Sequence, residues 1–290
     1  MITREQGYIK VLGGKVWYER IGNKKGIPLV VVHGGPGFPH YSLRPLEALS
    51  DERQIIFYDQ LGCGKSDRPH DKSLWKKERF VEELQDVISF LGIEKFHILG
   101  HSWGSMLATE YALTKPDALV SLILSGPILS VPRWISDANL LRKKLPIKIQ
   151  RILDKHEADG TTESKEYKSA ELEFYKKHLC RIYPFPKLMQ KSEKEAGMEV
   201  YNTMWGPSEF HCTGNLNGHD LTNRLREINV PVLLTCGKYD EATPKTAQYY
   251  QSLFPNAQTV VFENSAHMAI LEETESYLKT AREFLNIWKI

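Results

Sequence analysis

The sequence predicts an α/β fold: a mostly parallel sheet flanked by helices, with a helical unit inserted late in the chain. Three observations carry this. Short runs of Val, Ile and Leu, apolar at nearly every position, recur along the chain, as in strands covered on both faces. Segments with helical spacing separate them. Near residue 129 the alternation gives way to charged helical segments, and near residue 222 it resumes. The expected organisation is a core over 1–128, a helical cap over 129–221 and the rest of the core over 222–290.

Bulk properties narrow the function classes. A chain of 290 residues can bury one large α/β core and a smaller unit beside it. The formal net charge of +2 comes from interspersed Lys, Arg, Asp and Glu. Nothing in it points to nucleic acid or an anionic membrane as partner. No apolar run approaches bilayer length and no signal peptide is read, so a cytoplasmic protein is expected. Cys63, Cys180, Cys212 and Cys236 form no Cys-x-x-Cys pair and have no histidine at ligand spacing. Free thiols in a reducing compartment are expected, with no metal and no other cofactor.

In chain order, residues 8–11 and 15–21 are β-rich and flank Leu12-Gly13-Gly14, which reads as a hairpin. Residues 28–32 form a buried strand that empties into His33-Gly34-Gly35-Pro36-Gly37. That loop is too rich in glycine for regular structure and suits the display of backbone N–H groups. Residues 54–59 give the next strand. The Gly64-Lys65-Ser66 beyond it is not a phosphate loop, because the motif needs glycine where Asp59 stands and a helix where Arg68-Pro69-His70 follows. Helical spacing runs over 74–91 and stops at Gly92. A strand and helix around residue 102 come next, and 121–126 is another buried strand. Charged helices are expected over 136–145, 148–155, 166–178 and 192–204, punctuated by Pro146, Gly160, Pro184, Pro186, Gly206 and Pro207. Their Lys and Glu repeats read as solvated faces. Strands return at 230–237 and 258–263. One helix then opens at Thr243-Pro244 and runs to Leu253, and a final helix covers 272–288.

The chemistry centres on Gly100-His101-Ser102-Trp103-Gly104, with a strand before it and a helix after it. A Gly-x-Ser-x-Gly turn in that setting holds its serine on a tight bend beside a helix N-terminus, hydroxyl outward. Its glycines stand where a side chain would collide with the neighbouring strand or helix. A serine nucleophile needs a base, an anion to orient that base, and donors for the oxyanion. In such sheets these gather beyond the C-terminal ends of the strands. Ser102, Asp240 and His267 each lie just past a strand, in the chain order of an α/β-hydrolase. His267 is the expected base and Asp240 its support. The expected oxyanion donors are the backbone N–H groups of Trp103 and Gly35. His33 and His101 read as local hydrogen-bonding groups, and Asp59 with the segment from Gln60 to Gly64 reads as a packing loop.

These residues resemble the proline iminopeptidase family of α/β-hydrolases. The likeness rests on His33-Gly34-Gly35-Pro36-Gly37, Asp59-Gln60-x-Gly62-Cys63-Gly64-x-Ser66, Gly100-His101-Ser102-Trp103-Gly104 and Gly237-x-x-Asp240-Glu241-x-Thr243-Pro244. Trp205-Gly206-Pro207-x-Glu209-Phe210 and Thr213-Gly214 add to it. The resemblance implies the α/β-hydrolase fold and an aminopeptidase that removes one N-terminal residue, often proline, from short peptides. It also implies two glutamates that bind the free α-ammonium group of the substrate, and these fall on Glu209 and Glu241. The physics agrees. A charged amine in a low-dielectric cleft requires compensating carboxylates, and such a clamp fixes the scissile bond in register. Ser105 stands where many relatives have glycine. The segment 129–204 carries no motif of the family, so the pocket for the N-terminal side chain is not read.

Two other readings share part of the pattern. An amidase, esterase or lactonase would use the triad and the glycine loop without the glutamate pair. A non-catalytic ligand-binding protein of this fold would have no need of an intact Ser102, Asp240 and His267. Dehalogenases and epoxide hydrolases of this fold use an aspartate nucleophile, and Ser102 excludes them. The expectation is a serine aminopeptidase that releases an N-terminal proline, or another small or hydrophobic residue, from short peptides through an acyl-enzyme.

Overall fold

The computed structural model describes residues 3–23 and 25–288. The chain opens with β1 (Thr3–Val11) and β2 (Gly14–Gly22), paired antiparallel across a tight turn. β3 (Leu29–Val32) and β4 (Ile55–Tyr58) follow. Between them lies a 3-10 segment, His40–Asp51, which the sequence reading did not anticipate. Pro45 sits inside it and cannot supply the N–H that a continuous α-helix would need there. The alternation continues with α1 (Lys77–Phe90), β5 (Phe96–His101), α2 (Trp103–Ala112) and β6 (Leu119–Ser125).

Five helices precede the next strand: α3 (Val131–Arg142), α4 (Ile147–Ala158), α5 (Lys165–His178), α6 (Lys187–Lys194) and α7 (Met198–Met204). The chain ends with β7 (Val232–Gly237), α8 (Pro244–Gln251), β8 (Ala257–Phe262), α9 (Ala269–Glu272) and α10 (Thr274–Ile287). The strands form one sheet in the order β1-β2-β4-β3-β5-β6-β7-β8. From β4 to β8 all neighbours are parallel, and β1 and β2 form an antiparallel edge.

The continuous apolar runs are explained by burial on both faces. In β3, Val30 and Val32 pack with Phe80 and Leu84 of α1 and Met106 of α2. Leu29 and Val31 point the other way, toward Leu43 and Leu46 of the 3-10 segment and Tyr277 and Phe284 of α10. Alternate residues thus build two cores, one on each side of the sheet. Leu141, Leu153, Tyr167 and Phe174 form a third, smaller apolar cluster among α3, α4 and α5.

Several helix ends differ from expectation, for local reasons. The helix expected over 74–91 starts at Lys77, because Asp71 accepts from Ser73 N (2.9 Å) and caps a separate short turn. The helix expected over 192–204 is divided at Gly197. Its N–H donates to Gly37 O (2.8 Å), and a Cβ there would run into Gly62 O. The chain can pass the two glycine loops only at a glycine. The last helix breaks at Glu273, which leaves helical geometry between α9 and α10. The Gly64-Lys65-Ser66 turn folds back on Asp59, whose Oδ2 accepts from Lys65 N (3.0 Å).

Candidate active site

Ser102 joins β5 to α2 with φ 55° and ψ −124°, a region that costs a non-glycine residue about 1–3 kcal/mol. Its surroundings hold it there. Ser102 N donates to Ser125 O on β6 (2.9 Å), and Ser105 donates to Ser102 O from both N (2.8 Å) and Oγ (2.6 Å). Ser105 Oγ in turn accepts from Ile128 N (2.9 Å), so a hydroxyl, not a glycine, closes this turn. The flanking glycines are required by close approach. A Cβ on Gly100 would strike Gly104 O, and one on Gly104 would strike Val32 O of β3.

His267 lies in the loop after β8, and its Nδ1–H donates to Asp240 Oδ1 (2.8 Å) in the loop after β7. The same Asp240 oxygen accepts from Ala242 N (2.7 Å), which fixes the carboxylate. The end of α5 braces both loops: His178 O accepts from His267 N (3.2 Å), and His178 Nδ1 donates to Tyr239 O (2.8 Å). Gly126, at φ 54°, leaves space for the imidazole, since a Cβ there would come within 2.5 Å of His267 Cε1. Burial alone would depress the His267 pKa. The Asp240 charge and hydrogen bond, with Glu209 behind them, outweigh that and hold it above its ordinary value. His101 donates to His267 O (3.1 Å) and is kept neutral, its pKa pushed down to about 3 by burial.

His33, which opens the glycine loop, and the Trp103 indole belong to one buried network. Gln60 Nε2 donates to His33 O (2.9 Å), Gln60 N donates to His33 Nε2 (2.9 Å), and Trp103 Nε1 donates to Gln60 Oε1 (2.9 Å). Gln60 therefore ties the glycine loop to the serine turn. Among the described residues, neither Trp103 N nor Gly35 N donates to a backbone or side-chain acceptor. Reading residues 59–64 as a packing loop holds for Asp59, which accepts from His40 N (3.0 Å) and Nδ1 (2.7 Å). It missed Gln60. The available signal was a buried amide directly after a strand end.

A cavity of about 410 Å³ opens over these groups. Ser102, His267, Gly35 and Glu209 line it, while Asp240, Trp103 and Glu241 do not. Glu241 is fully buried, and neither of its carboxylate oxygens has a hydrogen-bond partner. Glu209 is half-buried as a residue. Its Oε1 accepts from Tyr201 OH (3.0 Å), and its Oε2 is sealed off without a partner. Burial raises the pKa of Glu241 well above the ordinary carboxylate value, and repulsion from Glu209 and Asp240 adds to the shift. Burial raises Glu209 as well, against the pull of His267 and Tyr201. Two neighbouring carboxylates thus present three oxygens without a hydrogen-bond partner, and among the described residues neither forms an ion pair.

A larger cleft of about 1050 Å³ lies at the opposite, N-terminal end of the sheet, around Arg53, Gln54 and His97. None of the expected site residues lines it. Among the described residues, no group of three or more His, Cys, Asp or Glu is placed to hold a metal ion. No helix among them is long and apolar enough to cross a membrane. All four cysteines are free and buried.

The sheet order and the serine turn define an α/β-hydrolase, and the family model for the alpha/beta hydrolase fold matches residues 27–274. The chain is 48% identical over 284 residues to a proline iminopeptidase of Heyndrickxia coagulans, covering 97% of this chain and 98% of that one. It is 38% identical over 290 residues to a proline iminopeptidase of Saccharolobus solfataricus, covering 98% and 93%. The solved structure of VinJ superposes with a TM-score of 0.95 at 34% identity, covering 98% of this chain and 99% of VinJ. That of a proline iminopeptidase from Mycobacterium smegmatis gives 0.90 at 36% identity, covering 97% and 98%. The chain belongs to the proline iminopeptidase family of α/β-hydrolases.

The Gln60 bridge yields a prediction. Gln60→Met keeps the volume but leaves Trp103 Nε1 and His33 O unpaired, and is expected to cost about 2–4 kcal/mol. Urea unfolding measures it, and an unchanged midpoint would show that the bridge contributes nothing.

Proposed function

We propose that this chain is a serine aminopeptidase that releases the N-terminal residue, proline among others, from short peptides through an acyl-enzyme. The observation that carries this reading is the carboxylate pair Glu209 and Glu241 at the Ser102 cavity, three of whose four oxygens are buried without a hydrogen-bond partner. Burying a charge without a partner costs several kcal/mol, so the free enzyme retains a proton on the pair. A substrate α-ammonium supplies the missing charge and displaces that proton. An esterase or lactonase would gain nothing from such a pair.

With the ammonium held by Glu209 and Glu241, the first peptide carbonyl lies over Ser102. His267 Nε2 takes the Ser102 proton as Oγ attacks the carbonyl carbon. Asp240 holds the opposite ring nitrogen and balances the imidazolium that forms. The developing oxyanion meets the N–H groups of Trp103 and Gly35, each worth about 2.7–4 kcal/mol of transition-state stabilisation. His267 then passes its proton to the leaving amine, and the shortened peptide departs. A water deprotonated by His267 attacks the ester, freeing the amino acid and restoring Ser102. Residues 129–221 act as the cap that keeps bulk water from this cavity. The buried free thiols suit the reducing cytoplasm as its location.

Substrates with and without a free amine test this reading. Glu241→Gln is expected to lower kcat/KM on L-proline 4-nitroanilide by about 100-fold or more, with a far smaller loss on 4-nitrophenyl acetate. Equal losses on both would remove the clamp from the account, and cleavage of N-acetylated anilides as fast as free ones would favour an amidase.

The pH profile tests the triad. His267 must be neutral to accept a proton, so activity on 4-nitrophenyl acetate rises with pH as this raised pKa is passed. Asp240→Asn removes the charge that raises it. The acid limb is then expected to move to lower pH while kcat falls by about 10³–10⁴. An acid limb that stays in place would show that Asp240 does not set the base.

A further inference from the structure

The cavity wall carries another buried carboxylate that the mechanism above leaves unused. Glu171 lies on the inward face of α5 and is 7% exposed. Its Oε1 is shut off from solvent and has no hydrogen-bond partner. The nearest counter-charge is Lys168 Nζ, one turn away at 3.7 Å, which also serves Glu163 at 3.8 Å. The sequence pattern placed Glu171 among solvated repeats, and the fold turns it inward.

Glu171 stands close to the amine clamp. The Tyr175 hydroxyl accepts from Glu209 N (3.3 Å) and also acts on the Glu171 carboxylate, so one hydroxyl lies between the two acids. The wall as a whole is acidic: Glu163, Glu171, Glu193 and Glu209 line it against a single ammonium, Lys168. Burial raises Glu171 to about 7, with Lys168 and Tyr175 opposing the shift. A pocket for an apolar N-terminal side chain would gain from Leu or Met at this position. A carboxylate there costs desolvation that Lys168 and Tyr175 offset only in part, and Oε1 gains a partner only when a further donor arrives.

We propose that Glu171 is a specificity residue that accepts a side-chain ammonium, so that N-terminal lysine and ornithine are substrates. The proposal rests on the aminopeptidase reading, with the α-ammonium held at Glu209. The side chain of the first residue leaves the Cα next to that nitrogen, which brings a flexible cationic stem to the α5 wall. Glu171 Oε1 then takes the second ammonium in a charge-assisted hydrogen bond.

The test compares lysine and norleucine 4-nitroanilides, which match in stem length and differ in the terminal charge. The wild-type ratio of kcat/KM, lysine over norleucine, is expected to exceed unity and to fall about tenfold in Glu171→Gln. An equal ratio in both enzymes, or a wild type that cleaves norleucine and refuses lysine, overturns the proposal. If neither anilide nor L-proline 4-nitroanilide is cleaved by the wild type, the aminopeptidase reading itself fails and takes this proposal with it. Should Glu171→Gln not fold, wild-type inhibition decides. L-Lysinamide binding about tenfold more tightly than L-norleucinamide supports the assignment, and equal inhibition overturns it.

Discussion

The site depends on one electrostatic imbalance: among the described residues Glu209 and Glu241 lie near each other without an ion pair, and three of their four carboxylate oxygens have no hydrogen-bond partner. A protein does not keep such a pair for stability, since apolar side chains of similar size would pack there at less cost. In the proposed function the imbalance is a binding device. It converts desolvation already incurred on folding into affinity for one positive charge. It also ties that charge to a fixed distance from Ser102, so recognition of a chain end and alignment of the scissile carbonyl become a single event. Glu241 follows Asp240 directly in sequence, so the proposed orienting anion and one half of the proposed clamp share a short loop.

The sheet supplies that rigidity. Parallel strands covered on both faces end at one level, and the loops after β3, β5, β7 and β8 all open there. Close approaches set the fine positions: Gly104 lets α2 lie against β3, and Gly126 leaves the space the His267 ring occupies. Gln60 fixes the glycine loop against the serine turn through bonds to His33 and Trp103. Above the sheet, α5 braces the His267 and Tyr239 loops through His178 and turns Glu171 toward the cavity. The helices inserted between β6 and β7 are thus part of the site in both position and charge.

The strands were legible because burial on both faces leaves an unbroken apolar run, as in Leu29-Val30-Val31-Val32. The Asp240 and His267 pair was legible because each residue ends a recognisable strand. Helix ends were less so. The break at Gly197 answers to Gly37 and Gly62, far away in sequence, and leaves no periodic signal of its own. Gln60 was obscured for the same reason, since its partners are 27 and 43 positions away. Glu171 was hidden by its company: among Lys and Glu repeats, charge pattern cannot tell the one carboxylate that turns inward from those that face water.

The central claim is that an arriving ammonium replaces a proton on the Glu209 and Glu241 pair. Calorimetric titration of Ser102→Ala enzyme with L-prolinamide at pH 7, in buffers of different ionisation enthalpy, counts the protons exchanged on binding. The account predicts net proton release, diminished when Glu241→Gln is added. Binding without proton release, or with proton uptake, would contradict it.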